Sequence, residues 1–307
     1  MSFANIVLNQ IIIMFILILI GYICYKCKII DQVLNKKLSD LLLLLVSPLL
    51  IFNSYQREFS KDLLIGLLVS LGLAVLTHLF GILTAYVFIR RKKDPDIIIE
   101  RFSTIYSNCG FFGIPIINGI YGSEGVFYIT AYITIFNLFL WTHGLIMMNG
   151  APNRRTMIKT LISPTLVAII LGFIFFITQI HLPFVVFDSL EYVAAMNTPL
   201  AMIIAGVTIA QTNIWKIFLK LRIYYVVFLK LVFIPLALLF IYSRFPIEIP
   251  VLAAAILGAA CPTGATCTLF AIRYNKNDLY ASEIFGMTTL ASLITIPIIM
   301  TFLGAVK

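Results

Sequence analysis

Two short stretches carry the residues best suited to chemistry. SNCGFFGIPI, residues 107–116, holds Ser107, Asn108, Gly110 and Pro115. GAACPTGAT, residues 258–266, holds Cys261, Pro262, Thr263 and Thr266. Both lie inside apolar segments. Proline removes a backbone donor and clashes with the preceding turn, and glycine loosens the chain. In hydrocarbon an unpaired backbone group costs several kcal/mol, so such breaks survive only where protein or water satisfies the freed groups. A broken helix also presents new ends. A helix N-terminus carries roughly half a positive elementary charge plus unpaired amide donors. Two such ends facing one cavity make an anion site without a buried cation. Asn108 can grip a carboxylate through its amide or cap the freed backbone. Ser107, Thr263 and Thr266 offer hydroxyls for a ligand or for the backbone itself. The alternative for each break is a proline kink that only aids packing.

Two further groups bear on charge. Lys230 lies about eight residues into an apolar run, roughly 12 Å along a helix. It either snorkels to the interface or faces inward as a substitute for a coupling cation or an attractor for an anion. His78 sits near the middle of another run and can carry a proton near neutral pH, as can His143, although a lone membrane histidine also serves packing. Glu100, Asp40, Asp62 and Glu283 all fall near the ends of apolar runs, so no carboxylate-based proton or sodium site is visible. Backbone carbonyls at the breaks remain possible sodium ligands, which leaves proton or sodium coupling open. No cofactor and no metal is implied. Cys24 and Cys27 form a CxxC without a second pair, and the five cysteines are an odd number, so neither a zinc site nor a disulfide framework is expected. No nucleophile–base pair stands out, which argues against an intramembrane enzyme. A channel would call for a filter repeated across subunits.

The elements that must position these residues are membrane helices. Of the 307 residues 61% are hydrophobic and 11% charged, where a soluble domain carries about 25% charge. Apolar runs recur at bilayer length, and none alternates as a β-barrel strand would. Ten spans are expected, at 5–25, 38–56, 63–89, 97–121, 123–148, 160–180, 189–212, 221–243, 249–273 and 280–304. The first run has neither a basic leader nor a small-residue cleavage site, so it reads as a retained span. Of the 22 Lys and Arg residues, 17 fall on one set of loops and 4 on the other, with Lys230 inside a span. That asymmetry places both termini outside the plasma membrane. The net charge of +9 sits in short loops rather than a basic domain, so nucleic acid is not an expected partner. The expected partners are the lipid bilayer and a small anion.

The two halves echo one another. SPLL at 47–50 corresponds to TPLA at 198–201, and the break at Pro115 corresponds to that at Pro262, each about five spans later. An odd number of spans inverts the second copy. Inverted repeats with a broken helix in each characterise secondary transporters. The expected fold is therefore an all-α polytopic membrane protein of two inverted five-helix repeats, residues 1–148 and 160–307 joined by a cytoplasmic linker at 149–159, with spans 4 and 9 crossing at the midplane. Thr130, Thr134 and Asn137 in span 5, and Thr288, Ser292 and Thr295 in span 10, form polar stripes that serve helix packing or line a cavity.

These motifs resemble the auxin efflux carrier family, which includes plant auxin exporters and bacterial carriers of malate and malonate. SNCGFFGIPI is similar to the family's N-x-G-F-x-G-x-P element. ACPTGATCTLFAIRYNKNDLYAS is similar to its second-half element, through Pro262, Asp278, Ala281 and Ser282, and NTPLAMIIAGVTIA and LISPTLVA match two further elements. The resemblance implies substrate contact at Asn108. It also implies a scaffold of spans 1, 2, 6 and 7, a transport domain of spans 3–5 and 8–10, elevator-type alternating access and a homodimer. Cys261 stands where plant members have asparagine before the second proline, a departure that counts against auxin as the physiological substrate. The expected function is transport of a small organic carboxylate (malate-, malonate- or lactate-like), with a channel or an exchanger of another substrate class as the alternative.

Overall fold

The computed structural model describes residues 3–90, 94–150, 164–211 and 220–305. The expected linker beyond residue 150, the start of span 6 and several of the basic loop residues, including Arg154, Arg155, Lys159 and Lys216, lie outside the described residues. We number the helices α1 (Phe3–Lys26), α2 (Gln32–Ser54), α3 (Lys61–Phe88), α4 (Ile97–Ile105), α5 (Cys109–Asn149), α6 (Pro164–Thr178), α7 (Phe184–Gln211), α8 (Leu221–Tyr242), α9 (Ile249–Ala260), α10 (Thr266–Arg273) and α11 (Asp278–Ala305). Six of them, α2, α3, α5, α7, α8 and α11, are each long and apolar enough to cross a bilayer. The protein is a polytopic, all-helical membrane protein.

The residue pattern of α3 shows which solvent it was built for. Gly66, Ser70, Ala74, Thr77, His78, Gly81 and Thr84 are buried, whereas Leu68, Leu76, Leu79 and Leu83 on the other face are exposed. A water-soluble helix would do the reverse. Lipid tails are as apolar as leucine, so membrane helices associate through small and polar residues that allow close approach and hydrogen bonding. The crossing of α1 and α7 follows the same rule: a Cβ on Gly21 would strike the Ile203 carbonyl, and one on Gly206 would strike the Ile18 carbonyl.

Prolines shape the helices in a repeated way. A wide π turn at Leu42–Val46 precedes Pro48, one at Cys109–Gly113 precedes Pro115, and one at Leu229–Phe233 precedes Pro235. Proline cannot donate to the carbonyl four residues back and its ring crowds it, so the preceding turn widens. This corrects the expectation that Pro115 breaks span 4. The break lies earlier, at Tyr106–Asn108, and Pro115 opens the regular part of α5 after its π turn. The kink that separates the expected spans 4 and 5 falls at Gly122, whose φ of 57° suits glycine.

Helices α1, α2, α6 and α7 pack together, as do α3, α4, α5 and α8–α11. The SPLL and TPLA elements face each other inside the first group, where the buried Asn197 amide donates to Ser47 Oγ at 2.7 Å.

Candidate functional site

The two interrupted helices meet in the interior. Chain leaves helical geometry at Tyr106 and again at Cys261, and the freed backbone groups pair across the gap. The Asn108 amide donates to the Pro262 carbonyl at 2.7 Å, and the Gly264 amide donates to the Tyr106 carbonyl at 3.0 Å. Ser107 and Thr263 form an isolated antiparallel bridge. Each break thus satisfies part of the other, which is what low dielectric requires. Four helix ends converge here: the C-termini of α4 and α9, and the N-termini of α5 and α10. First-turn amides of α5 and α10 have no intrahelical acceptors.

Lys230 reaches this crossing. It lies on the π turn of α8, is 1% exposed, and its ammonium donates to Ser107 Oγ at 2.5 Å and toward the Ile105 carbonyl at 3.5 Å. The snorkelling alternative is thereby excluded. The cation stands against the end of α4, whose last carbonyls carry partial negative charge.

The other expected residues divide by what occupies their polar atoms. Asn108 is 8% exposed, and its carboxamide makes no cap bond to the helix it precedes. Gly110 borders open space, since a methyl there would meet no atom within 4 Å. Thr263 Oγ1 donates to the Ser103 carbonyl at 3.0 Å and the Thr263 amide donates to Thr288 Oγ1, so this threonine serves the backbone. Thr266 Oγ1 is buried with no partner among the described residues. Cys261 is fully buried and packs near Gly113, where a Cβ would come within 3.4 Å of its sulfur. Pro115 is buried, seven positions beyond Asn108.

His78 stands one layer away. Its Nδ1 bonds the Ala74 carbonyl at 2.7 Å, and its ring lies against Tyr132 and Phe139 with centroids at 5.1 and 5.2 Å. Among the described residues Nε2 is buried without a partner, and no hydrogen bond ties the ring to the crossing residues. His143 instead bonds Tyr106 at 2.8 Å. In the span 5 stripe, Thr130, Thr134 and Asn137 all bond carbonyls of their own helix. In the span 10 stripe, Thr288 and Ser292 do the same, while Thr295 Oγ1 has no partner.

Sequence reading missed an ion-pair cluster beside the site. Arg222 grips Glu100 with two bonds of 2.7 and 2.6 Å, Tyr280 donates to the same carboxylate at 3.0 Å, and Lys220 pairs with Glu283 at 2.5 Å. Glu100 and Glu283 lie near the starts of α4 and α11, as expected, and are buried in the protein. The signal available in the sequence was register: Arg222 and Lys230 lie eight residues apart on α8, and Glu100 and Ser107 seven apart across the α4 end. The two pairs are rungs of one contact between helices that run parallel.

Among the described residues no group of three or more His, Cys, Asp or Glu side chains is placed to hold a metal ion. The crossing thus brings together paired backbone, a buried lysine amine and a side-chain amide without a cap bond.

The membrane transport protein family model matches residues 6–158 and 151–300. An uncharacterized transporter of Methanothermobacter thermautotrophicus is 26% identical over 291 residues, covering 92% of this chain and 94% of that protein. The uncharacterized transporter YfdV of Escherichia coli K12 is 24% identical over 297 residues, covering 92% and 93%. The chain is a transporter, and it belongs to the membrane transport protein family, the auxin efflux carriers.

Proposed function

We propose that this protein moves a small organic carboxylate across the plasma membrane by elevator-type alternating access, with the anion held at the crossing of the two broken helices. The observation that carries the reading is the pairing of the buried Lys230 ammonium with Ser107 beside the uncommitted carboxamide of Asn108. An anion entering there meets a fixed positive charge, an amide donor and two helix N-termini. A protonated Lys230 at the crossing offsets the charge of a bound carboxylate. Ser107 Oγ accepts from the ammonium and so holds it at the crossing.

Around that site we assign ten spans as two inverted five-helix repeats, residues 1–148 and 160–307, with both termini outside. Helices α1, α2, α6 and α7 act as the scaffold, and α3–α5 with α8–α11 carry the site. The division is supported by the bonding: Lys230–Ser107, Arg222–Glu100, Tyr280–Glu100 and Asn108–Pro262 all fall within the second group. A homodimer formed through the scaffold would leave this group free to slide.

Uptake into proteoliposomes tests the reading. Malate, malonate, lactate and indole-3-acetate are offered with and without proton or sodium gradients, to wild type and to Asn108→Ala. Saturable uptake of one acid, weakened by the substitution, is the expected result. Folded protein that moves none of these acids would take the substrate class outside carboxylates.

A further inference from the structure

The two helix groups touch where α1 packs on α11 and α5 and at a rim where the end of α2 meets the start of α5's long arm, and at that rim the bonding is of two kinds. Within the first group the chain is tied through its backbone. The Phe59 amide donates to Gln179 Oε1 at 3.0 Å, the Leu182 amide donates to Gln56 Oε1 at 3.2 Å, and Gln179 Nε2 donates to the Phe176 carbonyl at 2.6 Å. Between the groups the hydrogen bonds run from side chain to side chain. Thr130 Oγ1 donates to the Phe127 carbonyl, so the Tyr55 hydroxyl must be the donor to Thr130 at 2.5 Å. Arg57 donates to Ser123 Oγ at 2.8 Å while its Nε stays on the Ser54 carbonyl of its own helix end.

Both contacts converge on one ring. Tyr55 packs edge-on to Phe127 at 4.9 Å, and the Arg57 guanidinium lies 5.3 Å from the centre of the same ring. Phe127 also meets Phe176 of α6 at 5.2 Å. Gly172 of α6 backs the Tyr55 ring so closely that a Cβ would come within 2.8 Å of it. The tyrosine is therefore held firmly by the first group and meets the second through its hydroxyl on Thr130 and its ring edge on Phe127. Burial draws the Arg57 guanidinium down from its ordinary value while neighbouring Glu124 holds it up, and the group stays charged.

We propose that Tyr55 and Arg57 form a releasable latch: they hold the site-bearing helices in the position seen here through Thr130, Ser123 and Phe127, and they must let go when those helices move. The latch rests on the alternating-access reading above. Side-chain bonds suit the task, because they break without unravelling either helix, whereas the backbone ties keep the α2 end and the α6–α7 connection as one unit. A tyrosine hydroxyl and an arginine fork each re-form one defined bond when the helices return.

The test locks the rim. In a Cys24→Ser, Cys27→Ser background, Arg57→Cys and Ser123→Cys are bridged with a short, reducible bifunctional thiol reagent that does not cross membranes. Gln56→Cys with Leu182→Cys, bridged the same way, is the control inside the first group. Mass spectrometry confirms each bridge. The expected result is loss of carboxylate uptake in the bridged rim protein, recovery on reduction, and uptake unaffected by the control bridge. Hydrogen exchange read on peptides covering 52–60 and 121–131 gives a second measure that needs no substrate. It should slow in the bridged rim protein relative to the reduced one. In unbridged protein, Tyr55→Phe should speed it roughly 2- to 10-fold, the factor expected for one hydrogen bond. Undiminished uptake with the bridge in place overturns the latch, as does exchange that neither the bridge nor Tyr55→Phe alters. If wild type moves no acid, the transport reading has failed instead, and the exchange measurement still decides the latch.

Discussion

The two helix breaks do different jobs. At the first, side chains carry the chemistry: Ser107 meets Lys230, Asn108 keeps its carboxamide uncommitted, and Gly110 borders open space. At the second, the backbone does the work. The Pro262 carbonyl and the Gly264 amide bond the first break, Thr263 spends its hydroxyl on Ser103, and Cys261 is packed away. The first break is also braced from one side by the Arg222–Glu100–Tyr280 cluster on α4. Similar sequence disruptions in the two halves thus leave the Asn108 carboxamide open at one break and the Thr263 hydroxyl spent on backbone at the other.

The largest expected effect that would break this contrast comes from Lys230→Gln. Losing the ammonium removes a charge-assisted contact to the anion, worth about 1.5–3 kcal/mol, so uptake at subsaturating acid should fall roughly 10- to 100-fold. Initial-rate uptake in proteoliposomes measures it, and a near-wild-type rate would show that the cation is structural. Glu100→Gln should cost about 2 kcal/mol of stability, less than a fully buried pair because Arg222 is 28% exposed on its side chain. Thermal unfolding in detergent reads that change. Asn108→Ala should weaken the apparent affinity roughly 5- to 10-fold with little change in unfolding temperature, as expected for a side chain that bonds ligand but not protein.

Proline replacements sharpen the comparison further. Pro262→Ala should slow transport markedly, because the bonds of Asn108 to Pro262 and of Gly264 to Tyr106 depend on the chain staying out of the helix at 261–264. Pro115→Ala should slow it less, since its effect is confined to the π turn after the break. Equal losses would mean that the π turn itself shapes the site. The smallest effect is expected from Thr263→Val: about 1 kcal/mol of stability from the lost bond to Ser103, with affinity unchanged. Weaker binding in that variant would move the second break into the recognising role.

Several of these positions were legible in the sequence. Pro262 marked its break correctly, since the chain leaves the helix at Cys261 and re-enters it only at Thr266. Pro115 misled, because proline acts on the turn before it, and a chain in hydrocarbon can absorb that by widening one turn instead of breaking. Asn108 stood out as an amide inside an apolar run. Tyr55 did not, because it reads as an ordinary residue near a helix end, and Thr130 stood out only as part of a polar stripe, with nothing in its pattern pointing to Tyr55.

The sequence by itself determined that the chain is a set of membrane helices, since length, hydropathy and basic loops are properties of single segments. Only the tertiary structure decided where Lys230 goes, which hydroxyls are spent on backbone, and that Glu100 and Glu283 are buried in ion pairs. Those outcomes depend on which helix faces which. A lone lysine inside an apolar run has the same local pattern whether its stem reaches the interface or its ammonium finds Ser107 on another helix, 123 residues away in the chain.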